Sequence, residues 1–493
     1  MFVITKIIFS MIVKTEKDFI QNYLTDASNY KSENCDAVYF PLSSEEVSEI
    51  LKECNDKKIP VTVSGAGTGL VGARVPNGGI VVSLEKLNSI LHIDKKSKTC
   101  RTQAGILLSQ IQDACKDVQL LYPPDPTEKN CSIGGTIATN ASGARTFKYG
   151  PTRNWINYLK VVLANGETIE LERGKNFAYN YILKLQTKEG AKFKIILPKI
   201  KMPPVKNAAG YFIKENMDAI DLFIGMEGTL GVVTEAELNL IDYPNDLISG
   251  MIFFDNFSDT YDFVSKLKGL SLEINSKIKA RAIEFFDDQA LNFLRQFYPK
   301  TPSGKFAVWI EHEIYSENKD ELMTLLYELI ETHKGSLDSS YFAMNEKEMN
   351  EIREFRHAIS ARINENLVQN NLQKVGTDLA VPNGYFNQLY NYCINLCSEE
   401  EIDYVGYGHI GNDHLHFNML PKDHDEYIRA KKLYLKFCKK AVEFGGTVSA
   451  EHGIGKLKKE YFRLMYNSDE ILRMYEIKKT LDPNLILGVG NIF

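Results

Sequence analysis

The sequence contains no pair of cysteines at CxxC spacing. Its eight cysteines stand at 35, 54, 100, 115, 131, 393, 397 and 438, which argues against a cysteine-built iron–sulfur or zinc-ribbon site. So few in 493 residues do not make a disulfide framework, and reduced cytosolic thiols are the default. There is no basic surplus: 58 Lys and Arg against 64 Asp and Glu leave a net charge of -6. That argues against bulk capture of nucleic acid, which needs cations to replace the counterions of phosphates. No stretch approaches the ~20 apolar residues of a membrane span. The apolar N-terminus, residues 2–13, is interrupted by Thr5, Lys6 and Ser10. It is too short to cross a bilayer and lacks the basic start and small-residue cleavage site of a signal peptide. Met11 offers an alternative start that would make the first ten residues an extension. The expectation is a cytoplasmic, soluble protein, with peripheral contact at the inner face of a membrane, or a homodimer, left open.

What is present is an ordinary globular composition, 44 % hydrophobic and 25 % charged. No internal repeat is visible. The chain is too long for one compact core, so two or three domains are expected. Helical periodicity with capping residues in front predicts a helix over 44–57, and a second amphipathic helix covers 107–118. Short strands are expected at 59–63 and 80–84, and a hairpin over 159–171 around Asn165-Gly166. The texture changes near Asp242-Tyr243-Pro244-Asn245. Beyond it, strands at 251–254, 279–286 and 306–312 alternate with helices at 258–270, 317–333 and 345–369, an α+β pattern of helices covering an antiparallel sheet. The division is therefore 1–35 as an N-terminal extension and helix, 36–243 as one domain and 244–493 as another.

Three glycine-dense loops have a common character, SGAGTGLVG (64–72), SIGGTIATNASG (132–143) and GMEGTLG (225–231). Without a Cβ, backbone N–H groups approach a phosphate closely. Gly67-x-Gly69-x-x-Gly72 matches the GxGxxG dinucleotide fingerprint in letters. That fingerprint needs a helix opening at its last glycine, and Pro76, Asn77, Gly78 and Gly79 prevent one. The segment reads strand, loop, strand, and a nicotinamide Rossmann site is rejected.

The segments PVTVSGAGTGLVGARVPNGGIVVSLEKLNSI (60–90), YPPDPTEKNCSIGGTIATNASGARTFKYGPTRNWI (122–156) and LFIGMEGTLGVVTEAEL (222–238) resemble the FAD-binding domain of the vanillyl-alcohol oxidase / p-cresol methylhydroxylase superfamily. Within it, the chain is most similar to the FAD-linked D-2-hydroxyacid dehydrogenases, which include D-lactate and D-2-hydroxyglutarate dehydrogenases and the FAD subunit of glycolate oxidase. The resemblance implies an α+β fold. A two-subdomain FAD-binding domain would occupy 36–243, and a C-terminal α+β substrate domain with an antiparallel sheet, also carrying the metal, would occupy 244–493. It implies that FAD lies along Ser64, Gly65, Ala66, Gly67, Thr68, Gly69 and Leu70, and along Ser132, Ile133, Gly134, Gly135, Ala138, Thr139 and Asn140. Pro124, Glu227, Gly228, Gly231 and Val232 would complete its site. Some members tether FAD through a histidine in the first loop. The corresponding place here is Thr68, and residues 60–80 contain no His or Cys, so FAD is expected to be non-covalent.

Three of the nine histidines fall within GHIGNDHLHFN (408–418) and a fourth within GGTVSAEHGIGK (445–456). His414 and His416 are two apart and share one face of a strand. His409 and His416 are seven apart, so a straight strand would oppose them, but the Gly411-Asn412-Asp413 turn can fold them together. With Glu451, two imidazoles and a carboxylate suit zinc or another divalent transition ion with an open position. The two segments resemble the family's GHxGDGNLHxN and GGTxSGEHGIG motifs. That resemblance implies metal ligands at His409, His416 and Glu451 and a base at His452. GNDH stands where GDGN is usual, so His414 remains a competing ligand, and Ala450 replaces a glycine. Recognition of a substrate carboxylate needs a fixed cation, ideally a guanidinium. The family pattern singles out Arg356 with Ser360 one turn later in EFRHAIS, Lys374 in QKVGTDLAVP, and Asn418 as substrate-binding residues. The closing segment KKTLDPNLILGVGNIF lacks the family's NPGK ending, which leaves its role unsupported.

The implied reaction is metal-assisted, FAD-dependent oxidation of a small D-2-hydroxy acid to the 2-oxo acid. The metal is zinc by donor set, with manganese or iron as alternatives. No haem-attachment CxxCH and no cysteine cluster exists, so the acceptor is external: a quinone, a cytochrome or an electron-transfer flavoprotein. Two rival readings stay open, a non-redox FAD enzyme of the alkyl-dihydroxyacetone-phosphate synthase type and an FAD-binding subunit of a larger oxidase.

Overall fold

The computed structural model describes residues 11–32, 34–314, 319–369 and 375–493. Lys374 and the first ten residues lie outside them. The first sheet runs Ile12–Lys14, Ala37–Phe40, Ile80–Ser83, Val61–Ser64. The last three strands are parallel, and Ile12–Lys14 is antiparallel to its neighbour. Every residue of Ala37–Phe40 and Ile80–Ser83 is buried, the pattern of strands covered on both faces. Helix Ser44–Lys57 starts where Ser43 Oγ accepts from Glu46 N at 3.1 Å, which satisfies one of the free donors of its first turn. Between Val61–Ser64 and Ile80–Ser83 the chain makes turns and bends and no helix, as the proline and glycines at 76–79 require.

The second sheet is antiparallel, in the order Ile90–Asp94, Thr99–Gln103, Val232–Asn239, Ile156–Val162, Thr168–Glu172. Its last two strands are the hairpin expected at Asn165-Gly166. Gly166 sits at φ 82°, where a Cβ would strain the turn.

The third sheet opens with Asp246–Phe254, just past the texture change. Its eight strands include, in order, Ser336–Phe342, Asp246–Phe254, Phe306–Ile314, Ala280–Phe286, Tyr404–Gly408, His414–Met419 and Val375–Gly376, with Leu379–Ala380 paired to His414–Met419. Alternate side chains of Asp246–Phe254 go to different cores. Ile252 and Phe254 pack with Phe263, Leu326 and Ile330, whereas Met251 and Phe253 pack with Leu291, Leu294, Ile352 and Phe355. Helices Phe257–Leu272 and Lys319–Thr332 therefore cover one face and Asp288–Arg295 and Glu346–Gln369 the other. This explains why these strands read as continuous apolar runs without alternation.

The C-terminal segment crosses back to the first sheet. Val61 N donates to Ile486 O at 2.7 Å and Gly488 N to Val61 O at 2.9 Å. Asn491 Nδ2 donates to Ala73 O and Glu227 O, and Lys456 Nζ to Asn491 Oδ1. The closing segment thus ties the first and third glycine loops together, although its sequence departs from the family's.

Candidate active site

The glycine loops meet at the ends of the first two sheets. The first follows strand Val61–Ser64. The second is no loop but a helix, Ile133–Thr139, which corrects the sequence reading. Ser132 Oγ accepts from Gly135 N at 3.2 Å, Ile133 and Ile137 point into the core, and Asn140 ends the helix at φ 50°. Its glycines answer to packing, since a Cβ on Gly134 would lie 2.8 Å from Ala104 Cβ. The third loop runs along this helix. Gly225 N donates to Ile137 O at 2.9 Å and Glu227 N to Ala138 O at 2.8 Å. It then enters Val232–Asn239 through Gly231, whose added Cβ would lie 2.5 Å from Val161 Cγ1.

A side chain on Gly65 would collide with Ser132 Oγ, so the first two segments touch through bare backbone. A cavity of about 290 Å³ beside them is lined by Gly65, Ala66, Gly105, Leu107, Ser132 and Arg74, among others. Arg74, missed in the sequence, lies across the loop with Nη1 3.4 Å from Gly65 O. Glycine-walled space with a guanidinium beside it fits the diphosphate of a dinucleotide. Pro124 and Ile133 are buried, while Thr68 and Leu70 are at least partly exposed. Both carboxylate oxygens of Glu227 accept backbone protons, from Ile454 N at 2.7 Å and Gly455 N at 2.6 Å. Glu227 thus fastens the third loop to the GGTVSAEHGIGK segment.

The histidines gather as the turn argument requires. Strand Tyr404–Gly408, a tight turn at Ile410–Asn412 and Asp413 at φ 50° lead into His414–Met419. The His409 and His416 rings come within 5.3 Å of each other, centre to centre. His409 Nδ1 lies 2.6 Å from Glu284 Oε1, and His416 Nδ1 lies 3.3 Å from Thr377 O. Both neighbours are acceptors, so each ring keeps its proton on Nδ1. The two Nε2 lone pairs then face one oxygen, Glu451 Oε1, at 3.4 and 3.2 Å. Three acceptors aimed at one another repel unless a cation sits among them, and acceptors behind the rings are what orient metal-binding imidazoles. The donor set fits a divalent transition ion.

The competing ligand, His414, has close polar neighbours of its own. Lys206 Nζ lies 3.2 Å from His414 Nδ1 and 2.6 Å from Glu451 Oε2. An ammonium only donates, so His414 Nδ1 is unprotonated and its proton sits on Nε2, 3.0 Å from Asp378 Oδ1. His414 Nδ1 is thus occupied, whereas Nε2 makes no hydrogen bond, and His414 stays within reach of a site shared with His409, His416 and Glu451. Burial alone would raise the Glu451 carboxyl, but Lys206 holds it well below the usual range. Burial keeps His416 and His414 neutral and pushes His452 down to about 3. His452 Nδ1 faces Asp378 Oδ2 at 3.4 Å, and its Nε2 is 3.8 Å from Glu451 Oε1. The cluster thus joins ionised carboxylates, Glu451 and Asp378, to the neutral imidazoles of His414, His416 and His452. Ser142 Oγ, from the N-terminal half, donates to Glu451 Oε2 at 3.3 Å.

Arg356 is buried, and its Nε donates to Glu284 Oε2 at 2.6 Å. Its guanidinium lies 5.6 Å from the Tyr407 ring centre, and Ser360 Oγ is 2.9 Å from Tyr407 Oη. Tyr407 lies 5.4 Å from His416, the rings tilted by 39°, and so links the arginine to the histidines. Asn418 is buried, with no partner for either amide atom among the described residues.

A model of the FAD binding domain matches residues 35–172, and a model of the C-terminal domain of FAD linked oxidases matches residues 244–492. The chain belongs to the FAD-linked oxidases. It is 30 % identical over 460 residues to the D-lactate dehydrogenase of Anaerostipes hadrus, covering 91 % of this chain and 88 % of that one. It is also 30 % identical to the glycolate oxidase subunit GlcD of Bacillus subtilis, covering 96 % and 92 % of the two chains. The same identity links it to the D-2-hydroxyglutarate dehydrogenase of Xanthomonas citri pv. viticola, over 98 % and 94 %. In fold it matches 4-ethylphenol oxidase from Gulosibacter chungangensis with a TM-score of 0.68 at 18 % identity, covering 97 % of this chain and 94 % of that one. Alkyldihydroxyacetonephosphate synthase gives a TM-score of 0.68 at 16 % identity, covering 97 % and 81 %. This FAD-linked oxidase is thus an oxidoreductase whose cofactor is FAD.

The oxidase's site also uses residues that the sequence did not single out. Glu284 is the one acid in strand Ala280–Phe286, which also buries Arg281, and a buried acid in such a run is a readable signal. Asp378 lies in the segment quoted for Lys374 and binds His452 N at 2.9 Å and Lys458 Nζ at 2.9 Å. Lys206 had no local signal.

Proposed function

We propose that this oxidase converts a small D-2-hydroxy acid, of the D-lactate, D-2-hydroxyglutarate or glycolate class, to the 2-oxo acid. The observation that carries the reading is the convergence of His409 and His416 Nε2 on one oxygen of Glu451, with His452 beside them. His409, His416 and Glu451 would hold a divalent ion, zinc by donor set with manganese or iron as alternatives, which when bound supplies the Lewis acidity that lowers the pKa of the substrate hydroxyl. Asp378 holds the Nδ1 side of His452, so Nε2 is the nitrogen free to take the hydroxyl proton. Arg356, kept charged and oriented by Glu284, pairs with the substrate carboxylate. Ser360 and Asn418 offer further hydrogen bonds, and Lys374 is proposed from its motif. The glycine segments would hold FAD non-covalently, and FAD when bound would supply the two-electron acceptor for the α-hydrogen of the substrate. The external acceptor would be a quinone, a cytochrome or an electron-transfer flavoprotein.

The relatives named D-lactate dehydrogenase and D-2-hydroxyglutarate dehydrogenase support a redox reading over the synthase alternative, which shares the fold. The test is anaerobic mixing of the purified flavoprotein with D- and L-2-hydroxy acids. A D-hydroxy acid should bleach the visible flavin absorption, and an artificial dye should restore it. Bound flavin that no hydroxy acid bleaches would overturn the reading. Flavin that stays with the acid-precipitated protein would overturn non-covalent binding.

A further inference from the structure

Residues 173–201 hold eight basic side chains and one acidic one, Glu189, in a chain whose net charge is -6. They lie between the two family-matched segments. Their centre is a separate two-stranded hairpin, Ile182–Gln186 paired with Lys192–Ile196. Leu183, Leu185 and Ile195 are buried beneath it, against helix Ser468–Leu481. The outer face carries the cross-strand pairs Ile182–Ile196, Lys184–Lys194 and Gln186–Lys192. Like charges directly opposite on a strand pair are destabilising. Among the described residues, none of Lys175, Lys184, Lys192, Lys194, Lys199 and Lys201 pairs with a carboxylate; of the hairpin region's lysines only Lys188 does, with Glu170. Three large apolar side chains stand out among them: Phe177 at 56 % exposure, Tyr179 at 75 % and Ile196 at 66 %. Asn180 and Tyr181 both have positive φ, a two-residue reverse turn that joins Tyr179 to Ile182.

Unpaired lysines interleaved with protruding aromatic and aliphatic groups fit one surface chemistry, the headgroup region of an anionic bilayer. There the lysine ammoniums meet phosphates while their stems, the rings and Ile196 reach the acyl boundary. We propose that this hairpin docks the oxidase peripherally on an anionic membrane. The acidic remainder of the chain is repelled by the same surface, so the hairpin side faces it. No helix among the described residues is long and apolar enough to cross a membrane, and the proposal needs none. It is independent of the substrate reading.

The experiment is flotation of the full-length flavoprotein with vesicles of phosphatidylcholine alone or with roughly a third phosphatidylglycerol. The protein should float with the anionic vesicles, stay behind with the neutral ones, and be released by about 0.5 M salt. Charge reversal by Lys184→Glu with Lys194→Glu should weaken partitioning roughly 30-fold or more, and Tyr179→Ser with Ile196→Ser several-fold, with flavin content and melting unchanged. Should the double reversal fail to fold, Lys192→Glu reads the same charge. The proposal is overturned if wild type does not float, if it floats equally with neutral vesicles, or if the folded reversal variant floats like wild type. Capture of an acidic soluble protein through the hairpin, with no flotation, would also overturn it in favour of a protein partner.

Discussion

Glu227, in the third glycine loop, and Glu451, in the histidine cluster, are both carboxylates removed from solvent, and their surroundings push them in opposite directions. Glu227 meets two backbone N–H groups, and burial prevails, raising its carboxyl to about 7. Glu451 meets the ammonium of Lys206, which prevails over burial. The contrast extends to the regions around them. In the FAD-binding half, the segments approach at glycines where a Cβ would not fit, and side chains such as Glu227 and Ser132 bind backbone N–H groups. In the C-terminal half, contacts are made by side chains whose protons are set by their neighbours. The first region should respond to substitution mainly in stability and the second mainly in rate.

Metal removal should show the largest effect. Chelation, or His416→Ala, should abolish turnover while flavin absorption persists, because the ligands lie outside the glycine segments. Full activity after metal loss verified by elemental analysis would end the metal proposal. His452→Ala should follow, lowering kcat by about 10²–10⁴ with flavin and metal retained; steady-state kinetics beside cofactor content is the check.

Arg356 sharpens the comparison because it belongs to both kinds. Arg356→Ala should lower kcat/KM by roughly ten- to hundred-fold, chiefly through KM. It also leaves buried Glu284 with His409 but without its cation, which should cost about 3–5 kcal/mol in denaturant unfolding. Arg356→Lys should recover only part of either loss. A variant with wild-type KM and stability would remove Arg356 from the site.

Glu227 supplies a pH test. Its folded value, about 7, exceeds the ordinary 4.5. Its contribution to stability is therefore complete below about pH 4.5 and is lost as pH rises through 7. Relative to Glu227→Gln, wild type should lose up to about 3 kcal/mol between about pH 4.5 and pH 7.5. A stability difference that stays flat with pH would contradict the raised carboxyl. The smallest effect is expected at Ser132→Ala. It removes the acceptor for Gly135 N and should cost about 0.5–2 kcal/mol, read as a lower melting temperature with kcat unchanged.

Much of the fold was legible because local rules suffice for it. Helix 44–57 carries its own cap and periodicity, and the strands after 243 announce themselves as apolar runs. The proline and glycines at 76–79 rule out the helix that the GxGxxG letters invite. The histidine hairpin was legible too, since a tight turn between two strands brings residues seven apart onto one face. The helix at 133–139 reads as a loop in the sequence because it carries two adjacent helix-weakening glycines, of which Gly134 is imposed by the close approach of Ala104.

By itself, the sequence determined which groups were on offer: glycine segments suited to a diphosphate, and imidazoles with a carboxylate suited to a metal. The tertiary structure alone decided which atoms of these groups face one another. Lys206 arrives from 245 residues before Glu451 and sets the tautomer of His414. Glu284, from another strand, orients both His409 and Arg356. A proton's position depends on the nearest donor and acceptor within about 3 Å, and such distances between segments far apart in the chain exist only once the sheets have packed.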